Sequence, residues 1–283
     1  MEETYRQKVL KRREQYELEG RFDEDIEDDP PTLELKPNKI DYLSKSPIKK
    51  IKTFFVNRMG QKFINKTIKQ KQLIIDGVEG IENFKNIEGG AIITCNHFHP
   101  FDNFAVWEVL KKYMHGRKLY KVIREGNYTN PPEPFGPLFR YGNTLPLSSN
   151  AETMKKFFKA LDVLLVRGEK ILIYPEQAMW WNYRKPRPLK SGAFKFAVKS
   201  NVPVLPIFIT MEDSDVMDMD GNPVQKYTLH ILPAIYPAIN LSKNENADKM
   251  RDENYKAWVE VYERVYKKPL KFNTRTKKWF YIY

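Results

Sequence analysis

The chain has 283 residues, 41% of them hydrophobic, enough to bury a sizeable core in one large domain or one domain with appendages. A single cysteine, Cys95, excludes an intrachain disulfide and a cysteine-rich metal site, and fits a reducing compartment. A net charge of +12 calls for a polyanionic partner, a need that an anionic membrane, a nucleic acid or an acidic carrier protein would meet.

Residues 1–46 read as a charged, partly disordered extension: a run from Tyr5 to Arg21 with helical character, then the acidic patch Asp23 to Pro31, whose composition favours disorder. The character changes at Ser46. Pro47 suits the first helical position after a serine cap, and Ile48, Ile51, Phe54, Phe55, Met59, Phe63, Ile64 and Ile68 recur at helical spacing. Among them stand Lys49, Lys50, Lys52, Arg58, Lys62, Lys66, Lys69 and Lys71, with no acid. Residues 47–72 are therefore expected to form a basic amphipathic helix at a membrane surface, Lys49, Lys50, Lys52, Arg58 and Lys62 toward headgroups and Phe54, Phe55 and Phe63 toward acyl chains. An ordinary surface helix packed on the domain is the alternative. No segment reaches the roughly eighteen apolar residues of a spanning helix, and the start is charged from Glu2, unlike a secretory signal. The expected location is cytoplasmic, peripheral on the inner face of the membrane.

Residues 73–245 alternate between the two patterns. QLIIDG, AIITC (Ala91 to Cys95), LYKVI, NTLPL, ILIY (Ile171 to Tyr174), VPVLPIFIT and KYTLHIL read as strands. Helices are expected at about 103–114, after a capping box at Ser149 to Glu152, at 191–199, and at 246–266 within a C-terminal section, 246–283, that ends in a basic aromatic tail. Such alternation predicts an α/β fold, a mixed, mostly parallel sheet layered by helices.

Chemistry gathers at two strand ends. After AIITC comes NHFHPFD, with His97 five residues before Asp102; a carboxylate that holds one ring nitrogen leaves the other to take a proton. After ILI comes YPEQ, which sets Glu176 at the carboxyl end of a buried strand, where α/β domains keep their sites. The spacing of His97 and Asp102 alone is weak evidence. In context, Asn96 to Asp102 resembles the NHxxxxD box of glycerolipid acyltransferases of the lysophosphatidate type. Val122 to Gly126 resembles that family's basic-acidic block, Phe135 to Leu147 its glycine and apolar-strand block, YPEQ its Phe-Pro-Glu-Gly box, and Leu189 to Ile207 its helix-then-strand segment.

The resemblance implies His97 as base and Asp102 as its orienter, with Glu176 organising the acceptor and Asn96 shaping the turn. It also implies a thioester donor, acyl-CoA or acyl carrier protein, and a lysolipid acceptor, without metal or other cofactor. Lys190, Ser191 and Gly192, at a helix start, offer a phosphate cradle. The family's Gly-Thr-Arg is replaced by Gln177, Ala178 and Met179, so Arg184 and Arg187 are the candidate stand-ins for the missing arginine. Trp180, Trp181 and Tyr183 make this loop aromatic, for an interface, an acceptor pocket or plain packing. His97, His99 and Asp102 also read as a metal set, though no third histidine is near. Without a nucleic-acid-binding motif, nucleic acid is not an expected partner.

Overall fold

The computed structural model describes residues 3–29 and 31–275. The chain enters as α1 (Tyr5–Glu19), opened by a Thr4–Gln7 capping box and closed by Gly20 in the left-handed conformation. Residues 20–29 and 31–46, irregular apart from a 3-10 turn at Pro37–Lys39, precede α2 (Pro47–Lys69). Then follow β1 (Ile74–Glu79), α3 (Ile81–Lys85), β2 (Ala91–Cys95), α4 (Asp102–Leu110), β3 (Leu119–Ile123), α5 (Glu125–Thr129), α6 (Gly136–Tyr141) and β4 (Thr144–Pro146). The second half comprises α7 (Ala151–Val166), β5 (Lys170–Ile173), α8 (Gly192–Ser200), β6 (Val204–Met217), β7 (Pro223–Ile231) and α9 (Lys243–Tyr266).

The strands form one sheet in the order β1-β7-β6-β2-β5-β3-β4. Among these seven strands, β6 and β7 pair antiparallel and the other neighbours pair parallel. The expected mixed, mostly parallel α/β sheet is the one found. AIITC is buried at every position because helices cover both faces. On one side Phe157, Leu161 and Leu164 of α7, Phe194 of α8 and Trp258 of α9 pack on Ile92 and Ile171. On the other, Ile64 of α2 and Val106 and Leu110 of α4 pack on Ile93, Leu172 and Leu205. The expected capping box gives way to a simple cap: Asn150, not Ser149, caps α7, accepting from the N–H groups of Glu152 and Thr153.

The N-terminal extension departs from its composition. Phe22, Ile26, Leu35 and Tyr42 are buried, and Val9, Phe22 and Ile26 form a small core with Ala178, Trp180, Trp181 and Tyr183. The acidic patch, read as favouring disorder, is held by cations elsewhere in the fold: Arg12 bonds Asp28, and Arg6 bonds Glu27. The aromatic tail from residue 276 onward lies outside the described residues.

α2 has two unlike faces. Thr53, Val56, Gly60, Ile64 and Thr67 turn inward, and at Gly60 an added Cβ would sit 3.1 Å from the Leu138 side chain of α6. Ile48, Ile51, Phe54, Phe55 and Met59 are exposed, alongside Lys50, Lys52, Arg58 and Lys62. Two expected membrane residues face the protein instead. Lys49 donates to the Asp41 carbonyl at 2.5 Å, and the Phe63 ring meets Phe101, Phe104 and Phe135. Gln61 accepts from Trp107 Nε1 at 2.9 Å and donates to Glu108 at 2.6 Å, fastening α2 to α4.

Candidate active site

Beyond the last residue of β2, the Asn96 side chain takes over the pairing with β6. Its Nδ2 donates to the Ile209 carbonyl at 3.0 Å, and its Oδ1 accepts from the Ile209 N–H at 2.8 Å. Asn96 is therefore spent on the turn and presents nothing to a substrate. The chain then turns out of the sheet at His97 and enters α4 at Asp102.

Asp102 is fully buried at the start of α4, where the helix dipole favours a negative charge. Its Oδ2 lies 2.7 Å from His97 Nδ1 and accepts from the N–H groups of Phe98 and His99 at 3.2 and 3.4 Å. Its Oδ1 accepts from the Tyr174 hydroxyl at 2.5 Å. Burial, reinforced by the Asp102 charge, pushes the Tyr174 phenol well above its ordinary range, so it remains a donor. A carboxylate offers only lone pairs, so the proton between it and His97 sits on Nδ1. The basic lone pair is then on Nε2. The imidazole stacks on Tyr174, centroids 3.9 Å apart and planes 16° from parallel, and its side chain is 22% exposed. A neutral base with one fixed face and an accessible nitrogen results.

The second strand end braces the first. Glu176 Oε2 accepts from the His97 N–H at 3.0 Å and from Arg187 Nη2 at 2.9 Å, while Oε1 accepts from the Arg187 N–H at 2.8 Å. Arg187 also donates to the carbonyls of Phe22 at 2.8 Å, His97 at 3.3 Å and Ala178. Both side chains are at most 2% exposed. The expected substrate-binding roles of Glu176 and Arg187 are corrected accordingly: each is saturated internally, and the pair clamps the loop after β5 onto the histidine turn. Arg184 does not join this cluster but bonds Asp213 and Gln225 of β6 and β7 at 2.7 and 3.0 Å. Lys190 reaches the loop through its N–H, which donates to the Pro175 carbonyl, but its ammonium pairs with Asp23 at 2.6 Å. Ser191 precedes α8 without a side-chain capping bond, and Gly192 has open space where a Cβ would stand.

His99 is no companion to His97. Its Nδ1 accepts from the Phe101 N–H at 3.0 Å, its ring lies 4.4 Å from that of Trp181, and burial lowers its pKa to about 4, which keeps it neutral. Among the described residues no cluster of His, Cys, Asp or Glu is arranged to hold a metal ion. Trp180, Trp181 and Tyr183 are at most 9% exposed and pack beneath α1, which removes them from any membrane interface. Burial pushes the Cys95 thiol well up, so it is no nucleophile.

Sequence reasoning missed Tyr174 as a ligand of Asp102. Its place, one residue past an apolar strand and two before Glu176, was the available signal. It also missed Arg124, directly after β3, which pairs with Asp25 at 2.6 Å and with Asp29. The backbone N–H groups of His97, Phe98 and His99 are all taken by Glu176 and Asp102, so any oxyanion donor comes from outside this turn.

Residues 77–210 match the family model described as Acyltransferase. The fold is similar to the crystal structure of the 1-acyl-sn-glycerophosphate (LPA) acyltransferase, PlsC, from Thermotoga maritima. The TM-score is 0.51 at 19% identity, over 81% of this chain and 87% of that one. No curated protein sequence matches the chain significantly.

Proposed function

We propose that this chain, whose residues 77–210 match the Acyltransferase family model, is a glycerolipid acyltransferase that moves a fatty acyl group from a thioester to the hydroxyl of a lysophospholipid, 1-acyl-glycerol-3-phosphate giving phosphatidate. The observation that carries this reading is the 2.7 Å contact between His97 Nδ1 and buried Asp102, which leaves Nε2 free to act.

In this reading Nε2 removes the acceptor's hydroxyl proton as that oxygen attacks the thioester carbonyl. The imidazolium formed is stabilised by Asp102. Collapse of the tetrahedral adduct breaks the carbon–sulfur bond, and His97 returns the proton to the departing thiolate. The acyl group passes directly between substrates, in keeping with a sealed Cys95. The donor is acyl-CoA or acyl carrier protein; a net charge of +12 suits the phosphates of the one and the acidic surface of the other. The acceptor lives in a bilayer, and α2 supports a peripheral placement on an anionic, cytosol-facing surface by exposing Phe54 and Phe55 beside Lys50, Lys52, Arg58 and Lys62. Because Gln61 and Phe63 tie α2 to α4, a helix seated in the interface would bring His97 to its substrate.

A second reading keeps the chemistry and changes the acceptor to another lysolipid. It is favoured by the absence of arginine at Gln177, Ala178 and Met179, with Arg184 and Arg187 both engaged elsewhere. The deciding experiment is acyl transfer by the purified protein to a panel of lysolipids with each donor, read by mass spectrometry. Transfer should be lost in His97→Ala while the thermal unfolding transition is kept. Near-full activity in that variant would end the mechanism, and product from lysophosphatidate alone would decide between the acceptors.

A further inference from the structure

Residues 22–29 and 31–35 lie across the carboxyl ends of the strands that carry the site. The Phe22 carbonyl accepts from Arg187, and the Glu24 carbonyl from Trp180 Nε1 at 2.9 Å. Further on, the Leu35 N–H donates to Glu125, just after β3, at 2.7 Å, and the Leu35 carbonyl accepts from Ser148, just after β4. The segment is anchored by buried Phe22, Ile26 and Leu35. Its aspartates do a different thing. Asp25 and Asp29 pair with Arg124, and Asp23 with Lys190, through side chains that are 37, 34 and 43% exposed. In the sheet, Ile93 of β2, Leu172 of β5 and Lys121 of β3 stand in line, which sets Arg124 level with Asn96. Two strand spacings, on the order of 10 Å, separate them.

We propose that Asp25 and Asp29 are an internal occupant of an anion site centred on Arg124, and that the phosphomonoester of an anionic acceptor must displace them to bind. The proposal rests on the acyltransferase reading above and adds a self-competing strap to it. Half-exposed ion pairs of this kind are weak, so an incoming phosphate with its greater charge can exchange with them. Because the apolar anchors hold the strap, removing its charges leaves its path in place. Arg124 would then be vacated without being moved.

The test uses the full chain. Binding of glycerol 3-phosphate is measured by calorimetry for the unaltered protein, for Asp25→Asn/Asp29→Asn, and for that pair combined with Arg124→Gln. Coenzyme A serves as a second titrant. The double variant should bind glycerol 3-phosphate on the order of tenfold more tightly, the scale of two exposed pairs, and Arg124→Gln should erase the gain. The KM for lysophosphatidate should fall by a similar factor, with kcat and the KM for monoacylglycerol unchanged. Equal or weaker binding in the double variant would overturn the proposal. So would a gain that survives Arg124→Gln, or one confined to coenzyme A. If the double variant does not fold, Asp29→Asn alone is judged by the same criteria. Calorimetry needs no turnover, so a protein inactive on every acceptor would defeat the acyltransferase reading while leaving this one to be decided by binding.

Discussion

Asp102 accepts four hydrogen bonds, from His97 Nδ1, the N–H groups of Phe98 and His99, and the Tyr174 hydroxyl. An amide has one accepting oxygen and a donating nitrogen, so Asp102→Asn cannot satisfy that set. It would draw the His97 proton to Nε2 and leave no base facing the substrate. We expect kcat to fall by on the order of 10³–10⁴ with KM little changed. Tyr174→Phe keeps the stacked ring and removes one neutral donor, at a cost of about 1 kcal/mol and a loss in rate on the order of tenfold. Steady-state kinetics with a circular-dichroism control checks both, and an Asn variant within tenfold of the unaltered rate would contradict the assigned tautomer. The histidine–aspartate pair was legible in the sequence because a single turn contains it. Glu176 was legible as a site residue but not in its role, since its partner Arg187 comes eleven positions later, on the far side of an aromatic loop. A buried carboxylate needs donors for both oxygens, and no local pattern says which residues supply them.

At the scale of the element, α2 shows how periodicity and packing divide the information. The Ile/Phe stripe was legible, but a stripe does not say which way it faces. Beside Val56 and Ile64, the inner face is made of Thr53, Gly60 and Thr67, small or weakly polar residues that admit close neighbours and carry little hydrophobic signal. Lys49 and Phe63 were misplaced for the same reason, being at the flanks where the inner contacts begin. With Phe54 and Phe55 at 56% and 64% exposure, Phe54→Ser/Phe55→Ser should leave the fold intact. Each ring is worth roughly 1.5–3 kcal/mol when fully buried, and partial insertion of two should make vesicle binding on the order of 10–100 times weaker on their loss. Co-sedimentation with phosphatidylglycerol vesicles measures this. Raising the salt should weaken the remaining attachment through its lysines, whereas partitioning unchanged by the substitutions would mean that α2 is a solvent-facing helix.

Across the whole molecule, the strands were the most legible part, because AIITC and LYKVI are local apolar runs that coincide with β2 and β3. The N-terminal extension was the least legible: its acidic composition resembles a disordered segment, while the partners of Phe22 and Ile26 lie in the loop around Trp180, far along the chain. The interior these contacts create also sets how stability responds to pH. Burial lowers His99 to about 4 and lowers His230 as well, although Glu79 pulls His230 the other way. Between the unfolded histidine value of about 6.5 and the folded value of His99, the unfolded chain binds a proton that the folded chain refuses, so stability falls as pH drops through that window. For His99 the full loss approaches about 3 kcal/mol. On the alkaline side, burial lowers Lys121 and Lys170 to about 8, so the folded chain releases their protons before the unfolded one does, and stability rises from pH 8 toward the ordinary lysine range. Urea unfolding across pH should show both slopes. His99→Asn retains an acceptor for the Phe101 N–H and removes the titration, so its acid slope should be shallower by one proton. Lys121→Met should raise stability at neutral pH and flatten the alkaline slope, and curves that run parallel to the unaltered protein's in either variant would show that these two groups do not govern the response.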